Sequence, residues 1–182
     1  MSDYSIQNVV ATADLHQKIH LPSLKKAFVN VEYRPEEFPG LIYRLRRPKT
    51  TTLIFSSGKM VCTGAKSEKI ARRAVRKVVR DLKENDVVIL GQPEVFIQNI
   101  VATTNFNGLV DLEFAADIMD NVMYEPEQFP GLIYRMDNPH VVMLIFASGK
   151  SVITGAKSEE AVVEAVKRMK EELDEGGYIY SN

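Results

Sequence analysis

The side chains that most often carry chemistry are few in this chain and do not converge. His16, His20 and His140 are scattered and have no counterparts at the 91-residue spacing that organises the rest of the sequence, so they do not suggest a metal or acid–base site. Cys62 is the single cysteine and Ile153 stands at the equivalent position, which excludes disulfides and cysteine-based zinc clusters and points to a reducing compartment. A small buried apolar residue is the simplest reading of Cys62. Ser57-Gly58-Lys59 and Ser148-Gly149-Lys150-Ser151 resemble the end of a phosphate-binding loop. The first glycine of that motif would fall at Leu53 or Leu144, and the segment leads into a strand and not a helix, so each reads as a strand-to-strand turn. The acidic residues lie on expected helices and loops as solvated surface. No cofactor or metal is implied, and the chemistry left is recognition by shape and neutral hydrogen bonding.

The residues that could do this come in matched pairs, because the chain shifted by 91 residues falls on itself without a gap. Between positions 6–84 and 97–175, 37 of 79 pairs are identical. Ile6 to Thr12 returns as Ile97 to Thr103 with one change, and Phe38-Pro39-Gly40-Leu41-Ile42-Tyr43-Arg44 returns unchanged as Phe129 to Arg135. Leu53-Ile54-Phe55 and Thr63 to Glu68 are likewise repeated at Leu144 to Phe146 and Thr154 to Glu159. Such regularity implies two copies of one unit related by a pseudo-twofold axis, with repeats at 1–91 and 92–182. Two domains of about 90 residues, or one domain of two halves, both fit the length.

Each copy needs elements that present these residues. Segments 5–12 and 96–103 read as strands, and Leu21-Pro22-Ser23-Leu24 and Leu112 to Ala116 open short helices, proline being tolerated in a first turn. Three or four β-rich segments come next, near 28–34, 40–47, 50–56 and 59–64, separated by tight turns and so antiparallel. A long amphipathic helix closes the unit. Ile70, Ala71, Ala74, Val75, Val78, Val79 and Leu82 form its apolar stripe, with Arg72, Arg73, Arg76, Lys77, Arg80 and Lys83 opposite.

One long and one short helix can cover only one face of such a sheet. Alternation puts Asn8, Val10 and Thr12 on one side of the first strand and Gln7, Val9 and Ala11 on the other; Leu53 shares a face with Phe55, and Val61 with Thr63. The second copy repeats these sets as Asn99, Val101 and Thr103, Leu144 and Phe146, and Val152 and Thr154. One candidate face is therefore apolar, with a few neutral hydrogen-bonding groups and almost no charge. An exposed face of that kind signals a partner. Phe38 and Phe129 open turns, and each copy carries a second aromatic, Phe55 or Phe146, on the presumed open face. Paired apolar wedges related by a pseudo-twofold suit the separation of two base steps of a duplex.

Net charge is only −1, yet residues 1–91 hold 17 Lys+Arg against 9 Asp+Glu, net +8, and residues 92–182 hold 6 against 15, net −9. The fold is repeated while the surface field is not, which suggests different partners for the halves or a means of orienting a nearly symmetric body. No apolar run approaches the ~20 residues of a membrane span, and no signal-peptide pattern opens the chain, so an intracellular protein without a membrane partner is expected.

The blocks Gln-Asn-Val-Val-Ala-Thr, Phe-Pro-Gly-Leu-Ile-Tyr-Arg, Thr-Thr-Leu-Ile-Phe-Ser-Ser-Gly-Lys-Met-Val and Thr-Gly-Ala-Lys-Ser-Glu, with their second copies, closely resemble the TATA-box-binding protein family over essentially the whole chain. The resemblance implies an α+β saddle: a continuous curved antiparallel ten-stranded sheet with DNA beneath and four helices on the convex face. It implies a general transcription initiation factor that binds promoter DNA in the minor groove and recruits transcription factor B and, indirectly, RNA polymerase. Duplex kinking by inserted apolar wedges is taken from the family itself, which is the type case. By position, Phe38 with Phe55 and Phe129 with Phe146 resemble the wedge pairs. Asn8, Asn99, Thr63 and Thr154 resemble the hydrogen-bonding groups near the centre. Val10, Val101, Leu53, Leu144, Val61 and Val152 are similar to the apolar floor, and Arg44 and Arg135 to phosphate contacts. Glu125, Glu127 and Gln128 match the region that contacts transcription factor B.

A floor with few donors suits A·T pairs, whose minor groove shows only acceptors, and would leave the guanine N2 amino group unpaired. Glu36 and Glu37 stand where nuclear relatives tend to be basic, which weakens phosphate attraction at the first turn. The lack of a long low-complexity N-terminal extension and an acidic tail at Glu171 to Glu175 resemble the archaeal branch, and so a cytoplasmic, nucleoid-associated factor. The charge asymmetry, with the partner contact near Glu125, would set binding direction. The alternative is a protein-interaction module that buries its apolar face in a homodimer off DNA or against another protein. A nucleic-acid hydrolase is disfavoured because no acidic pair or nucleophile recurs on the open face.

Overall fold

In the computed structural model, which describes residues 3–181, the period-2 pattern of the first strand becomes a one-sided burial pattern. Val9, Ala11 and Ala13 of β1 (Tyr4–Asp14) are buried while Asn8, Val10 and Thr12 stay half-buried. Its repeat, β6 (Val95–Asn105), buries Ile100 and Ala102 and leaves Asn99, Val101 and Thr103 half-buried. Gln7 departs from the expected grouping with Val9 and Ala11, being exposed and donating from its amide to the Thr103 hydroxyl at 3.1 Å. Gln98 does the same toward Thr12 at 2.9 Å.

The chain forms two compact units, Asn8–Gln98 and a second that joins the chain up to Gln7 to everything from Asn99 onward. These boundaries differ from the sequence repeat at 91/92, because β1 and β6 each divide between units. The hydrogen-bonded strand order is β2 (Val31–Glu32), β3 (Leu41–Arg46), β4 (Lys49–Ile54), β5 (Lys59–Ala65), β1, β6, β11 (Lys150–Ala156), β10 (Val141–Ile145), β9 (Leu132–Met136), β8 (Val122–Met123), a ten-stranded sheet, with four helices among the described residues.

In the Asn8–Gln98 unit, β2 (Val31–Glu32), β3 (Leu41–Arg46), β4 (Lys49–Ile54) and β5 (Lys59–Ala65) form an antiparallel ladder that ends on β1. The β-rich segment expected at 28–34 shortens to two residues. Asn30 takes over its inner end, its carbonyl accepting from the Arg44 N–H and its side chain donating to the Arg44 carbonyl at 2.8 Å. The short helix α1 (Leu21–Ala27) carries Pro22 in its first turn and buries Leu21 and Leu24. The long helix α2 (Glu68–Glu84) starts at Ser67, whose hydroxyl accepts from the Ile70 N–H at 3.0 Å and satisfies a donor that the first helical turn leaves open. It lays Ala71, Ala74, Val75, Val78, Val79 and Leu82 on β4 and β5. Burying each Val or Leu contributes about 1.5–3 kcal/mol. Tyr43, buried beneath the helix, donates to Asp81 at 2.8 Å and ties sheet to helix with a polar bond. Arg72 leaves the expected solvent side and donates to the Val95 carbonyl at 2.8 Å.

The other unit repeats this plan with α3 (Leu112–Ile118), β8 (Val122–Met123), β9 (Leu132–Met136), β10 (Val141–Ile145), β11 (Lys150–Ala156) and α4 (Glu159–Gly176). The acidic run Glu171 to Glu175 is the last part of α4 and not a tail, since Leu173 keeps the apolar stripe buried through it. Gly177, at φ +70, closes the helix in the left-handed conformation glycine tolerates, and buried Tyr178 bonds back to the Leu173 carbonyl. Beyond it β12 (Ile179–Tyr180) pairs with β7 (Leu109–Val110), a two-strand ladder too short for sequence periodicity to reveal.

Cys62 lies in the core with no exposure, and burial pushes its thiol up from the ordinary range, as expected of an inert packing residue. Among the described residues no group of three or more His, Cys, Asp or Glu could hold a metal, and no helix is long and apolar enough to cross a membrane.

Candidate nucleic-acid interface

The sheet face away from α2 is built from residues brought side by side by the strand register. Glu32, Ile42, Leu53, Val61 and Thr12 form one cross-strand row through β2, β3, β4, β5 and β1. In the other unit Met123, Ile133, Leu144, Val152 and Thr103 form the matching row. Ile42 and Ile133 complete these rows, although alternation around Phe38-Pro39-Gly40 did not single them out. A second row joins Arg44, Thr51 and Thr63, matched by Arg135, Val142 and Thr154. All the floor residues expected from sequence, Val10, Leu53, Val61, Val101, Leu144 and Val152, are half-buried on these faces, while both arginines are exposed.

Asn8 and Thr63 meet at a break in the ladder. Between Val9 and Ala11 the partner on β5 advances from Ala65 to Cys62, one residue too many, so Thr63-Gly64 bulges with Gly64 at φ +99. The Asn8 amide oxygen accepts from the Gly64 N–H at 2.6 Å and its nitrogen donates to the Thr63 hydroxyl at 2.9 Å. This fixes which end of the amide is the donor. The repeat builds the same lock, with Gly155 at φ +94 donating to Asn99 Oδ1 at 2.7 Å and Asn99 Nδ2 donating to Thr154 at 3.3 Å. The recurring Thr-Gly of each copy was the sequence signal for the bulge.

Each face ends in an aromatic pair. Phe38 and Phe55 stand edge to face, centroids 5.9 Å apart at 63°, and Phe129 and Phe146 repeat this at 5.7 Å and 63°. The turn before each pair closes through backbone bonds, the Phe38 N–H donating to the Arg34 carbonyl and the Phe129 N–H to that of Glu125. Glycine seats the rings. A Cβ at Gly40 would lie 2.7 Å from Phe38 and 3.0 Å from Phe55, and one at Gly131 would lie 2.8 Å from Phe129 and 3.0 Å from Phe146. The order Phe-Pro-Gly in both copies is thus a packing requirement as well as a turn signal. Glu125, Glu127 and Gln128 are exposed on the turn before Phe129 and, with Pro126, line a small surface concavity.

Charge differs between units at the edge of the face. Glu32 holds Arg44 at 3.3 Å and Arg34 at 3.3 Å, and Arg34 reaches Glu37 at 3.8 Å. Met123 replaces Glu32 in the repeat. Alternation could not show this, because the pairing depends on the β2–β3 register.

Fold and face together define a tandem-repeat α+β protein whose sheet presents, twice, an apolar floor, a fixed amide donor and an aromatic pair. A family model described as transcription factor TFIID (or TATA-binding protein, TBP) matches residues 3–85 and 94–175, and the chain belongs to that family. A TATA-box-binding protein of Pyrodictium occultum is 59% identical over 169 residues, 93% of this chain and 85% of that protein. That of Sulfolobus acidocaldarius is 53% identical over 171 residues, 94% of this chain and 87% of that protein. The solved structure of Methanococcus jannaschii TBP superposes with a TM-score of 0.85 at 45% identity, covering 95% of this chain and 99% of that one. The expected α+β class, with a ten-stranded antiparallel sheet and four helices among the described residues, is that of this family, whose members are DNA-binding transcription factors of archaeal type here and not enzymes.

Proposed function

We propose that this chain is a general transcription initiation factor that binds the A·T-rich TATA element of promoters from the minor groove. Membership of the TATA-binding family supports promoter binding, and the two matched faces support the route. The observation that carries the groove assignment is the asparagine lock. With Oδ1 of Asn8 and Asn99 taken by the bulge N–H groups, each amide nitrogen gives one hydrogen to Thr63 or Thr154 and keeps its second for an acceptor over the open face. The minor groove of A·T pairs offers only acceptors, adenine N3 and thymine O2. Around these donors the floor of Val10, Leu53, Val61 and their repeats supplies no acceptor for guanine N2, so a G·C pair leaves a buried donor unpaired, at a cost of about 1–3 kcal/mol.

Phe38 with Phe55 and Phe129 with Phe146 enter base steps as wedges, the mechanism known for this family, and the unstacking favours pliable pyrimidine–purine steps. Arg44 and Arg135 take phosphates. Glu125, Glu127 and Gln128 present the edge for transcription factor B, which brings RNA polymerase. The protein acts inside the cell on nucleoid DNA. Off DNA, the same apolar faces are the surface a homodimer would cover.

A short duplex with dyes at its ends tests this, comparing a TATA-like site with a G·C-rich control at several salt concentrations. Strong bending of the A·T duplex alone, lost in Phe129→Ala/Phe146→Ala, is the expected result. Equal weak binding to both duplexes without bending would move the open faces to a protein partner.

A further inference from the structure

The cluster of Arg34, Glu32 and Arg44 lies at the end of the Ile42-Leu53-Val61 row and has no equivalent beside Arg135. Glu32 Oε2 lies 3.3 Å from Arg44 Nη2 while its other oxygen, Oε1, lies 3.3 Å from Arg34 Nε. One carboxylate thus holds two guanidinium groups, and Arg34 is held again by Glu37. At the equivalent position of the second repeat stands Met123, half exposed and uncharged, and Glu125 replaces Arg34. Among the described residues Arg135 has no carboxylate within 4.0 Å.

We infer that Glu32 is a built-in competitor for DNA phosphate at Arg44, so that the two repeats grip the backbone unequally. This rests on the promoter-binding reading above. For Arg44 to take a phosphate it must leave or share Glu32, and the carboxylate repels the incoming phosphate; Arg135 meets neither obstacle. The two arginines sit at equivalent register positions of matched faces, beside Thr51 and Thr63 or Val142 and Thr154, so the difference is one of charge and not of reach. The cluster is solvent-exposed, with Arg44 at 56% and Glu32 at 35%, which keeps the pairing weak enough to be exchanged. At this pair of positions Arg135 therefore contributes more of the salt-dependent affinity than Arg44, and two nearly identical faces become unequal there.

Binding of the full chain to the TATA duplex across a salt series tests this. Glu32→Gln, which keeps shape and removes the competing charge, should tighten binding about two- to fivefold, the range of an exposed ion pair. It should also steepen the log–log salt dependence by up to ~0.9, one further phosphate neutralised. Met123→Glu, which builds the competitor beside Arg135, should weaken binding and flatten the slope. Glu84→Gln, the same charge change at the end of α2, separates this from net charge. Unchanged affinity and slope in Glu32→Gln, or an equal gain from Glu84→Gln, would overturn the inference while wild-type bending stands. Failure of the unaltered protein to bend the TATA duplex would sink the promoter reading and this inference together.

Discussion

Replacing Gly131 by Ala adds one methyl group between the two rings of the second wedge, where there is no room for it. The new Cβ would stand 2.8 Å from Phe129 Cε2 and 3.0 Å from Phe146 Cε1, against the 3.5–4.0 Å at which carbon atoms rest. The Phe129 ring must retreat by about 0.7 Å or more. It can do so because it is half-buried on the surface of its own unit, whereas Gly131 itself is buried. The cost in stability is bounded by the edge-to-face pairing, about 0.5–1.5 kcal/mol. For a chain of this size that is a fall in Tm of no more than roughly 6 °C. The cost to DNA bending is larger in proportion, because a binding site tolerates a displacement of only about 0.5 Å in its contacting groups. The dye-labelled duplex assay, run beside a thermal melt, should show bending reduced at least severalfold with Tm nearly retained. Gly149→Ala is the contrasting case: Gly149 sits at φ +91 with the Gly108 carbonyl in the path of any Cβ, so it should lose stability first. Wild-type bending and affinity in Gly131→Ala would refute the idea that glycine seats the wedge, and a melt as low as that of Gly149→Ala would make Gly131 a folding residue instead.

Asn8→Asp and Asn99→Asp keep the acceptor that the bulge N–H requires and replace the donor with a charged oxygen. TATA binding should fall at least tenfold for the pair while Tm changes little; unaltered binding would remove the asparagine lock from the recognition mechanism. Tyr43 governs an alkaline limit. Burial, then its hydrogen bond to Asp81, raises the phenol well above its ordinary value near 10. The unfolded chain therefore loses this proton first as pH rises past about 10, and the linkage slope turns negative from there up to the raised value. Denaturant melts from pH 9 to 11 should show stability falling, with a shallower fall in Tyr43→Phe; parallel curves for the two proteins would exclude Tyr43 as the cause.

Much of this protein is written locally. Period-2 alternation in 5–12 and 96–103 announces one buried and one open side, and the helical stripe from Ala71 to Leu82 announces what covers the buried side. These patterns survive because burial of a strand or helix face needs only the residues of that element. The 91-residue repetition then marks Asn8 with Asn99, and Phe38 with Phe129, before any contact is known. What the sequence leaves open are features made by residues distant along the chain. The lock of Asn8 on the Thr63-Gly64 bulge joins positions 55 and 56 residues apart, and depends on one extra residue in β5 that alternation reads as ordinary strand. Glu32 finds Arg44 only through the β2–β3 register, and the acidic run of Glu171 to Glu175 is helical because Leu173 is held in the core. The division of β1 and β6 between compact units is likewise a matter of strand pairing. Local periodicity fixes which side of an element is apolar; only the tertiary register decides which charged and polar groups become neighbours on it.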